Sequence, residues 1–252
     1  TFKSAGDALE NGARNTIGVA IACSVAGIII GTVTLTGIGL ELATGLLNLS
    51  GGIPIIALFL TMIACIILGM GVPITANYVI MATITAPIVV RLGIPLMAAH
   101  MFVFYFGIVA DITPPVALAA YAGAASAKSN TLKTAITATR LAITAFIIPY
   151  IFALSPNLLL TPAALSNPVM LLETVFIVVT SFVGMLGISA GMEGFMFKLM
   201  PFWQRIAAII GGLLLIYPGW VTDLIGFGLV GAVFAHQYFT GKAGGTGPVT
   251  VS

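Results

Sequence analysis

The amino-acid sequence predicts an all-α integral membrane protein, a multi-span helical bundle with a re-entrant hairpin and a broken helix. Of its 252 residues, 60% are hydrophobic and only 6% are charged, whereas soluble domains are about a quarter charged. Two polar interruptions rich in Gly or Pro, at 69–77 and 111–115, cut otherwise apolar runs. Because lipid offers no hydrogen-bond partners, broken backbone at membrane depth is expected only inside protein or along a cavity.

The N-terminal third is expected to contain one simple span. Residues 1–15 are polar and predict a surface helix or linker. Residues 16–35 provide an apolar run of about 20 residues, which is enough to cross the bilayer once. Residues 36–52 mix Gly, Glu, Asn and Ser with apolar residues and predict an interfacial connection.

The next two apolar runs are short. Residues 53–68 and 74–90 form arms of about 16 residues, each about 24 Å long as a helix and therefore shorter than the roughly 30 Å hydrocarbon core. The segment 53–91 is therefore expected to form a re-entrant hairpin whose tip lies in the membrane.

The rest of the chain predicts further membrane helices. We expect a broken helix at 96–127, a polar connection at 128–134, a span at 135–154, a loop and module boundary at 155–168, extra membrane helices within 169–240, and a disordered Gly-rich tail at 241–252. Residues 16–154 would then form one transport and scaffold half. Nearly every connecting Lys or Arg falls on the side of the N terminus, as the positive-inside rule expects for a cytoplasmic N terminus.

Several functional classes are excluded by what the sequence lacks. The net charge is +2 and there is no basic patch interleaved with aromatic residues, so no nucleic-acid partner is expected. There is no Ser-His-Asp or Cys-His set and no phosphate-binding glycine loop, so the chain is predicted not to be an enzyme. Cys23 and Cys65 lie in apolar runs and predict neither a disulfide nor a metal site, and no organic cofactor is expected.

The first interruption carries groups suited to a binding site. Gly69 and Gly71 permit backbone conformations closed to other residues, and Pro73 restarts a helix. Thr75 and Asn77 then present a hydroxyl and an amide at a helix N terminus, whose partial positive charge favours an anionic substrate group. Carbonyl oxygens in the same tip are suited to a cation. The alternative is a tight structural turn.

The second interruption is suited to a hard cation. Asp111 is the one acidic residue between Ile53 and Leu154, and a carboxylate at the bilayer centre costs about 2.5–3.5 kcal/mol. Pro114 and Pro115 remove two backbone donors and push Thr113 toward an extended conformation. The carbonyls around Ala110 and Asp111 are thereby freed beside a Thr hydroxyl. The alternatives are that Asp111 pairs with a neighbour or caps a half-helix starting at Pro114, and that the Pro kink holds no ligand.

Three segments resemble a known family. GMGVPITANYVIMATITAPIV, AAHMFVFYFGIVADITPPVALAAYAGAASA and IGGLLLIYPGWVTDLIG are similar to the large membrane subunit of tripartite ATP-independent periplasmic (TRAP) transporters, most closely to its TAXI branch, whose membrane subunits are often fused. The resemblance extends to about Gln237 and corresponds to the C-terminal half of that subunit.

The resemblance implies a sodium-coupled elevator importer of organic acids, a multi-pass protein of the bacterial inner membrane. Its partners would be a periplasmic solute-binding protein that hands over a small carboxylate, the lipid bilayer, and the N-terminal half and small permease subunit that this sequence lacks. The chain would then supply half of an inverted repeat, with the hairpin tip facing the break at 111–115. A passive channel and a structural membrane scaffold remain as alternatives.

These arguments define two sets of predicted site residues. The sodium site is predicted at Gly69, Gly71, Thr75, Asn77, Asp111 and Thr113. The substrate site is predicted at Pro73, Thr75, Ala76, Asn77, Pro114 and Pro115.

Overall fold

The regular secondary structure of the chain is helical. A computed structural model describes residues 2–159 and 167–243, and these ranges contain twelve α-helices and no strand. The predicted all-α membrane fold class is therefore confirmed. Cα packing divides the chain into two units, Thr1–Thr139 and Arg140–Ser252. The predicted domain limits, with their boundary at 155–168, stay a prediction.

The first unit contains seven helices and most of an eighth. They are α1 (Phe2–Thr36), α2 (Ile38–Leu49), α3 (Pro54–Gly69), α4 (Ile74–Ile84), α5 (Ala86–Arg91), α6 (Leu96–Val109), α7 (Leu118–Ser126) and α8 (Thr131–Leu141).

The start of the chain differs from the prediction in two ways. The polar segment and the first apolar run form one continuous helix, α1, because no Pro or left-handed residue separates them. The predicted interfacial connection is itself largely helical, as α2. Gly37, with φ of +72°, separates the two helices and bends α2 by 72° from the Cys23–Thr36 part of α1.

The hairpin, defined here as Pro54–Arg91, packs against both α1 and α6. Ala76, Ile80 and Ile84 of α4 form a buried cluster with Ala26 of α1. Leu58 and Met81 from the two arms are fully buried, as are Phe102 and Phe106 of α6. The arms and α6 thus share one apolar core, which positions the tip of the hairpin beside the end of α6.

The two arms of the hairpin differ in length. The first arm, α3, has 16 residues, as predicted. The second arm continues through α5, and Ile74–Arg91 together has 18 residues and is long enough to cross a membrane. The helix is interrupted at Thr85, just before Pro87 in the first turn of α5.

The predicted connection at 128–134 and span at 135–154 are divided differently. Helix α8 already begins at Thr131 and ends at Leu141, and a 3-10 turn spans Ile143–Phe146 before the short helix α9, Ile148–Leu154. Pro149 lies in the first turn of α9, where its missing N–H costs no helical hydrogen bond.

The second unit is built on three long helices that follow α9. They are α10 (Pro168–Glu193), α11 (Phe202–Ile216) and α12 (Trp220–Ala243). The predicted loop begins with a 3-10 turn at Pro156–Leu159, and its residues 160–166 lie outside the described residues. The predicted tail was placed too early, because α12 continues through Ala243, and residues 244–252 lie outside the described residues.

Glycines let α10 and α11 approach closely. A Cβ at Gly184 would lie 2.8 Å from the carbonyl oxygen of Gly212, and a Cβ at Gly212 would lie 2.5 Å from that of Gly184. Small residues at a helix–helix contact are a common device in membranes, where apolar burial does not drive association.

The surface is that of a membrane protein. Large apolar side chains face outward along the helices, including Leu35 at 90%, Leu172 at 71% and Phe182 at 59% exposure. A soluble protein rarely exposes so extensive an apolar surface. By length and composition, two helices of the described chain could cross a membrane, or up to four if each of two bent helix pairs forms one span.

The C terminus of α10 is held by arginine. The Nε of Arg205 donates to the Gly191 carbonyl at 2.9 Å, and its Nη2 donates to the Met192 carbonyl at 2.8 Å. These carbonyls lie in the last turn, where a helix lacks N–H partners and carries partial negative charge. The side chain of Arg205 is therefore a charged cap for α10.

We expect Arg205→Ala to lower the stability of the protein by about 1.5–3 kcal/mol, the usual loss for hydrogen bonds to a charged group. The measurement is thermal unfolding of the detergent-solubilised protein. Arg14→Ala is the control, because Arg14 pairs with Glu10 on an exposed helix face, where such pairs contribute little. Equal unfolding temperatures for the two variants would contradict the capping role.

Candidate functional site

The hairpin tip is a tight connection between two helix ends. Helix α3 ends at Gly69, Met70 is extended, and Gly71 has φ of +75°, a conformation that favours glycine. Pro73 precedes the first residue of α4. The restart of the helix at Pro73 is thus as predicted. Gly69 does not lie in the positive-φ region, so the conformational reason given for it was wrong.

The partner break begins where α6 ends. A 3-10 turn spans Ala110–Ile112, and Thr113 is extended at φ −101° and ψ 126°, as the following prolines predict. Helix α7 starts only at Leu118, after Ala117 in a left-handed conformation with φ of 35°, and without a side-chain capping bond. The alternative in which Asp111 caps a half-helix starting at Pro114 is therefore wrong.

The carbonyls of the break differ in how they are paired. The Thr113 hydroxyl donates to the Val109 carbonyl at 2.7 Å, and the Thr113 N–H donates to the Ala110 carbonyl at 3.2 Å. The expectation that the Ala110 carbonyl is free was wrong, because the 3-10 turn supplies it with a donor. In a helix the Asp111 carbonyl would accept from the N–H group three or four residues later. Those residues are Pro114 and Pro115, and both lack an N–H.

Two hydroxyls from outside the break brace it. Thr139 of α8 donates to the Ile112 carbonyl at 2.9 Å, and Tyr121 of α7 donates to the Pro115 carbonyl. The break is thus a hydrogen-bonded structure in which the Asp111 carbonyl lacks both of its usual helical donors.

Asn77 connects the hairpin to α6. Its side chain is 2% exposed, and its Nδ2 donates to the Gly107 carbonyl at 3.1 Å. Because only the amide nitrogen can donate to a carbonyl, this bond fixes the orientation of the amide. Asn77 Oδ1 is buried and has no hydrogen-bond partner among the described residues. An unpaired buried acceptor costs about 1–3 kcal/mol, so this oxygen is a strong candidate for a cation ligand.

Two glycines make room for the Asn77 amide. A Cβ on Gly69 would lie 2.8 Å from Asn77 Nδ2 and 2.9 Å from the Cβ of Ala110, and a Cβ on Gly107 would lie 3.0 Å from the same nitrogen. The C-terminal ends of α3 and α6 therefore meet around the Asn77 side chain. Both ends carry partial negative charge, which favours a cation between them.

The structure brings some predicted site residues together and separates others. Gly69 and Asn77 are in close contact, and Ala110, the residue before Asp111, lies beside Gly69. Gly71 is close to the second break, because a Cβ on it would lie 3.7 Å from a methyl of Val116. These contacts place the tip against the break, as the sequence predicts.

The predicted residues on α4 face different directions. Thr75 is exposed, whereas Asn77 is buried, because two residues along a helix correspond to a rotation of about 200°. Ala76 is buried against α1 in the apolar cluster. Pro73 and Pro115 are exposed, and Asp111, Thr113 and Pro114 are half-buried.

Sequence reasoning missed Gly107, which supplies both the carbonyl partner and the space for Asn77. One signal was available, namely a lone Gly within the apolar helix FYFGIV, since an isolated helical Gly often marks a close approach. Its partner could not be read from the sequence, because no side chain of Gly107 takes part.

Comparison with known proteins identifies the family. A family model described as the tripartite ATP-independent periplasmic transporter, DctM component, matches residues 1–167, which is more than half of the chain. No curated protein and no solved structure matches the chain. The matched family is a transporter permease rather than an enzyme family, and its members associate with a periplasmic solute-binding protein and other TRAP components. The chain belongs to the DctM family and is a membrane component of a TRAP secondary transporter.

Proposed function

We propose that the chain is part of a sodium-coupled importer of organic acids in the bacterial inner membrane. It would span that membrane several times and receive a carboxylate from a periplasmic solute-binding protein, with alternating access of the elevator type. The observation that carries the proposal is the buried, unpaired Oδ1 of Asn77 between the C-terminal ends of α3 and α6.

The cation side of the proposal rests on oxygen chemistry. Asn77 Oδ1, the Asp111 carbonyl and carboxylate, and the Thr113 hydroxyl are hard oxygen ligands, which suit a hard cation better than a soft one. Broken helices in transporters commonly bind sodium through unwound carbonyls and half-helix C termini. Carbonyls of Gly69 and Gly71 in the adjacent tip would complete the ligand set.

The substrate side rests on the opposite face of the same tip. Helix α4 begins at Ile74, and its first N–H groups have no acceptor within the helix. Thr75 and Pro73 are exposed there, so a carboxylate can reach the helix N terminus. Pro114 and Pro115 are proposed as the facing wall. Ion and substrate would then occupy opposite faces of one tip. The predicted site residues would be divided between the two faces.

We expect sodium to protect the purified full-length protein against thermal unfolding more strongly than choline does at equal ionic strength. Asn77→Ala and Asp111→Asn should each weaken the apparent sodium affinity by about tenfold, because a hydrogen-bond-like contact to a charged group contributes about 1.5–3 kcal/mol. Asn48→Ala is the matched control, since Asn48 is exposed on α2.

Uptake by the reconstituted transporter, with its solute-binding protein, separates the remaining alternatives. A coupled importer accumulates labelled carboxylic acids only with an inward sodium gradient. Currents that persist without the binding protein would favour a passive channel. Sodium activation that is unchanged in both site variants would refute the site, and altered stability with unaffected activity would favour a scaffold.

A further inference from the structure

The second unit contains a cavity of about 390 Å³ whose walls carry uncompensated negative charge. Glu173 of α10 and Asp223 of α12 both line it, and no Lys or Arg is among the described residues around it. Neither carboxylate forms an ion pair among the described residues. A cationic occupant would supply the missing partner.

Two buried hydroxyls open onto the same cavity. Ser155 and Ser181 line it and are only 7% and 5% exposed. Within the described part of the chain neither hydroxyl makes a hydrogen bond. A helical Ser181 would ordinarily use the Ile177 carbonyl, but Thr180 already donates to that oxygen at 3.1 Å. Both hydroxyl oxygens are therefore free to accept a hydrogen bond from a ligand in the cavity, which is an observation independent of the two carboxylates.

The size and remaining walls of the cavity indicate an organic ligand rather than a bare ion. Its volume is within the range of about 300–1,000 Å³ typical of small-molecule sites, whereas a water occupies about 30 Å³. Phe176, Leu215 and Trp220 provide apolar and aromatic surface. Aromatic faces also attract cations.

We propose that this cavity binds a primary ammonium group attached to a short apolar body. An ammonium carries three donors and no acceptor, which matches a site of carboxylates and free hydroxyl oxygens. The site lies in the second unit, and every residue named for it except Ser155 lies beyond the residues that the family model matches. It is independent of the proposed sodium and carboxylate sites, so failure of either proposal leaves the other in place.

Such an ammonium group has two sources, a free amine and the ethanolamine headgroup of a phospholipid. The first arm measures binding of radiolabelled butylamine to the purified full-length protein in detergent at neutral pH, where amines of this type are protonated. The second arm measures which phospholipid the protein retains, by native mass spectrometry, from nanodiscs of phosphatidylethanolamine and phosphatidylglycerol.

We expect saturable binding in at least one arm. Glu173→Gln and Asp223→Asn should each weaken binding about tenfold through loss of a charged partner, and Ser181→Ala should weaken it about threefold. Glu193→Gln is the matched control, because Glu193 lies on the same helix outside this cavity and pairs with Arg140 at its exposed end. Size-exclusion elution verifies that each variant is folded.

Butylamine binding, or selective retention of phosphatidylethanolamine, supports the proposal if the two carboxylate variants lose it and the control keeps it. The Ser181→Ala variant decides the matter if a carboxylate variant aggregates. Binding that is equal in all variants, or absent in both arms, overturns the proposal. Binding of labelled sodium or calcium at these carboxylates without amine binding overturns it in favour of an inorganic cation.

Discussion

Gly69→Ala is expected to lower solute uptake by the assembled transporter at least tenfold while leaving the protein folded. The added methyl would lie 2.8 Å from Asn77 Nδ2 and 2.9 Å from the Cβ of Ala110, distances that real Cβ atoms do not reach. Overpacking of this kind typically costs about 1–3 kcal/mol. The conformation at Gly69 itself tolerates Ala, because its φ is not in the positive region. The effect is therefore displacement of the Asn77 amide from its place between α3 and α6.

The measurement is solute uptake in proteoliposomes under the sodium gradient that the proposed function requires, with size-exclusion elution as the test of folding. We expect uptake to fall at least tenfold, which corresponds to about 1.4 kcal/mol or more. Gly123→Ala is the control, since a Cβ there meets nothing within 4 Å and the residue lies inside the helix α7. Normal uptake by Gly69→Ala would show that the contact between the tip and α6 is not needed for function.

The second large effect is expected from Gly212→Ala in the second unit. A Cβ on Gly212 would lie 2.5 Å from the Gly184 carbonyl oxygen and 2.7 Å from Cγ1 of Ile188. The Gly184 carbonyl belongs to the main chain of α10 and cannot rotate away, so the two helices must separate. We expect the free energy of unfolding to fall by about 3 kcal/mol, the upper part of the usual range for overpacking.

The control for this variant is a substitution that is expected to raise the stability of the protein. Gly228 of α12 is exposed and meets nothing within 4 Å, so Gly228→Ala should raise stability by about 0.5–1 kcal/mol through helix propensity. Thermal unfolding in detergent measures both variants on one scale. Equal shifts for the two would contradict close packing of α10 on α11.

The positions of the two interruptions at 69–77 and 111–115 could be predicted because their causes are local. Pro73, Pro114 and Pro115 lack N–H groups, and Gly71 adopts a left-handed conformation, so the interruptions follow from these residues alone. The confirmed all-α class follows in the same way from composition. The family resemblance also located the pair of segments that meet, the hairpin tip and the break at 111–115.

The geometry inside the site depends on residues that are distant in the sequence, so it could be predicted only in part. That Asn77 would be buried against Gly107 could not be predicted, because the acceptor is a main-chain carbonyl and glycine presents no side chain. The separation of Thr75 from Asn77 could have been predicted, since helical periodicity alone places them on opposite faces of α4. The identification of the sodium and substrate residues stays a prediction.

The bond between Asn77 and Gly107 also limits how the first unit can move. A hairpin that lifted away from α6 like a lid would leave the Nδ2 of Asn77 and the Gly107 carbonyl without partners, at a cost of about 1–3 kcal/mol for each buried group. A joint displacement of the hairpin with α6 keeps the bond and has no such cost. The hairpin and α6 are therefore expected to move together as one rigid piece, and any hinge is expected outside it.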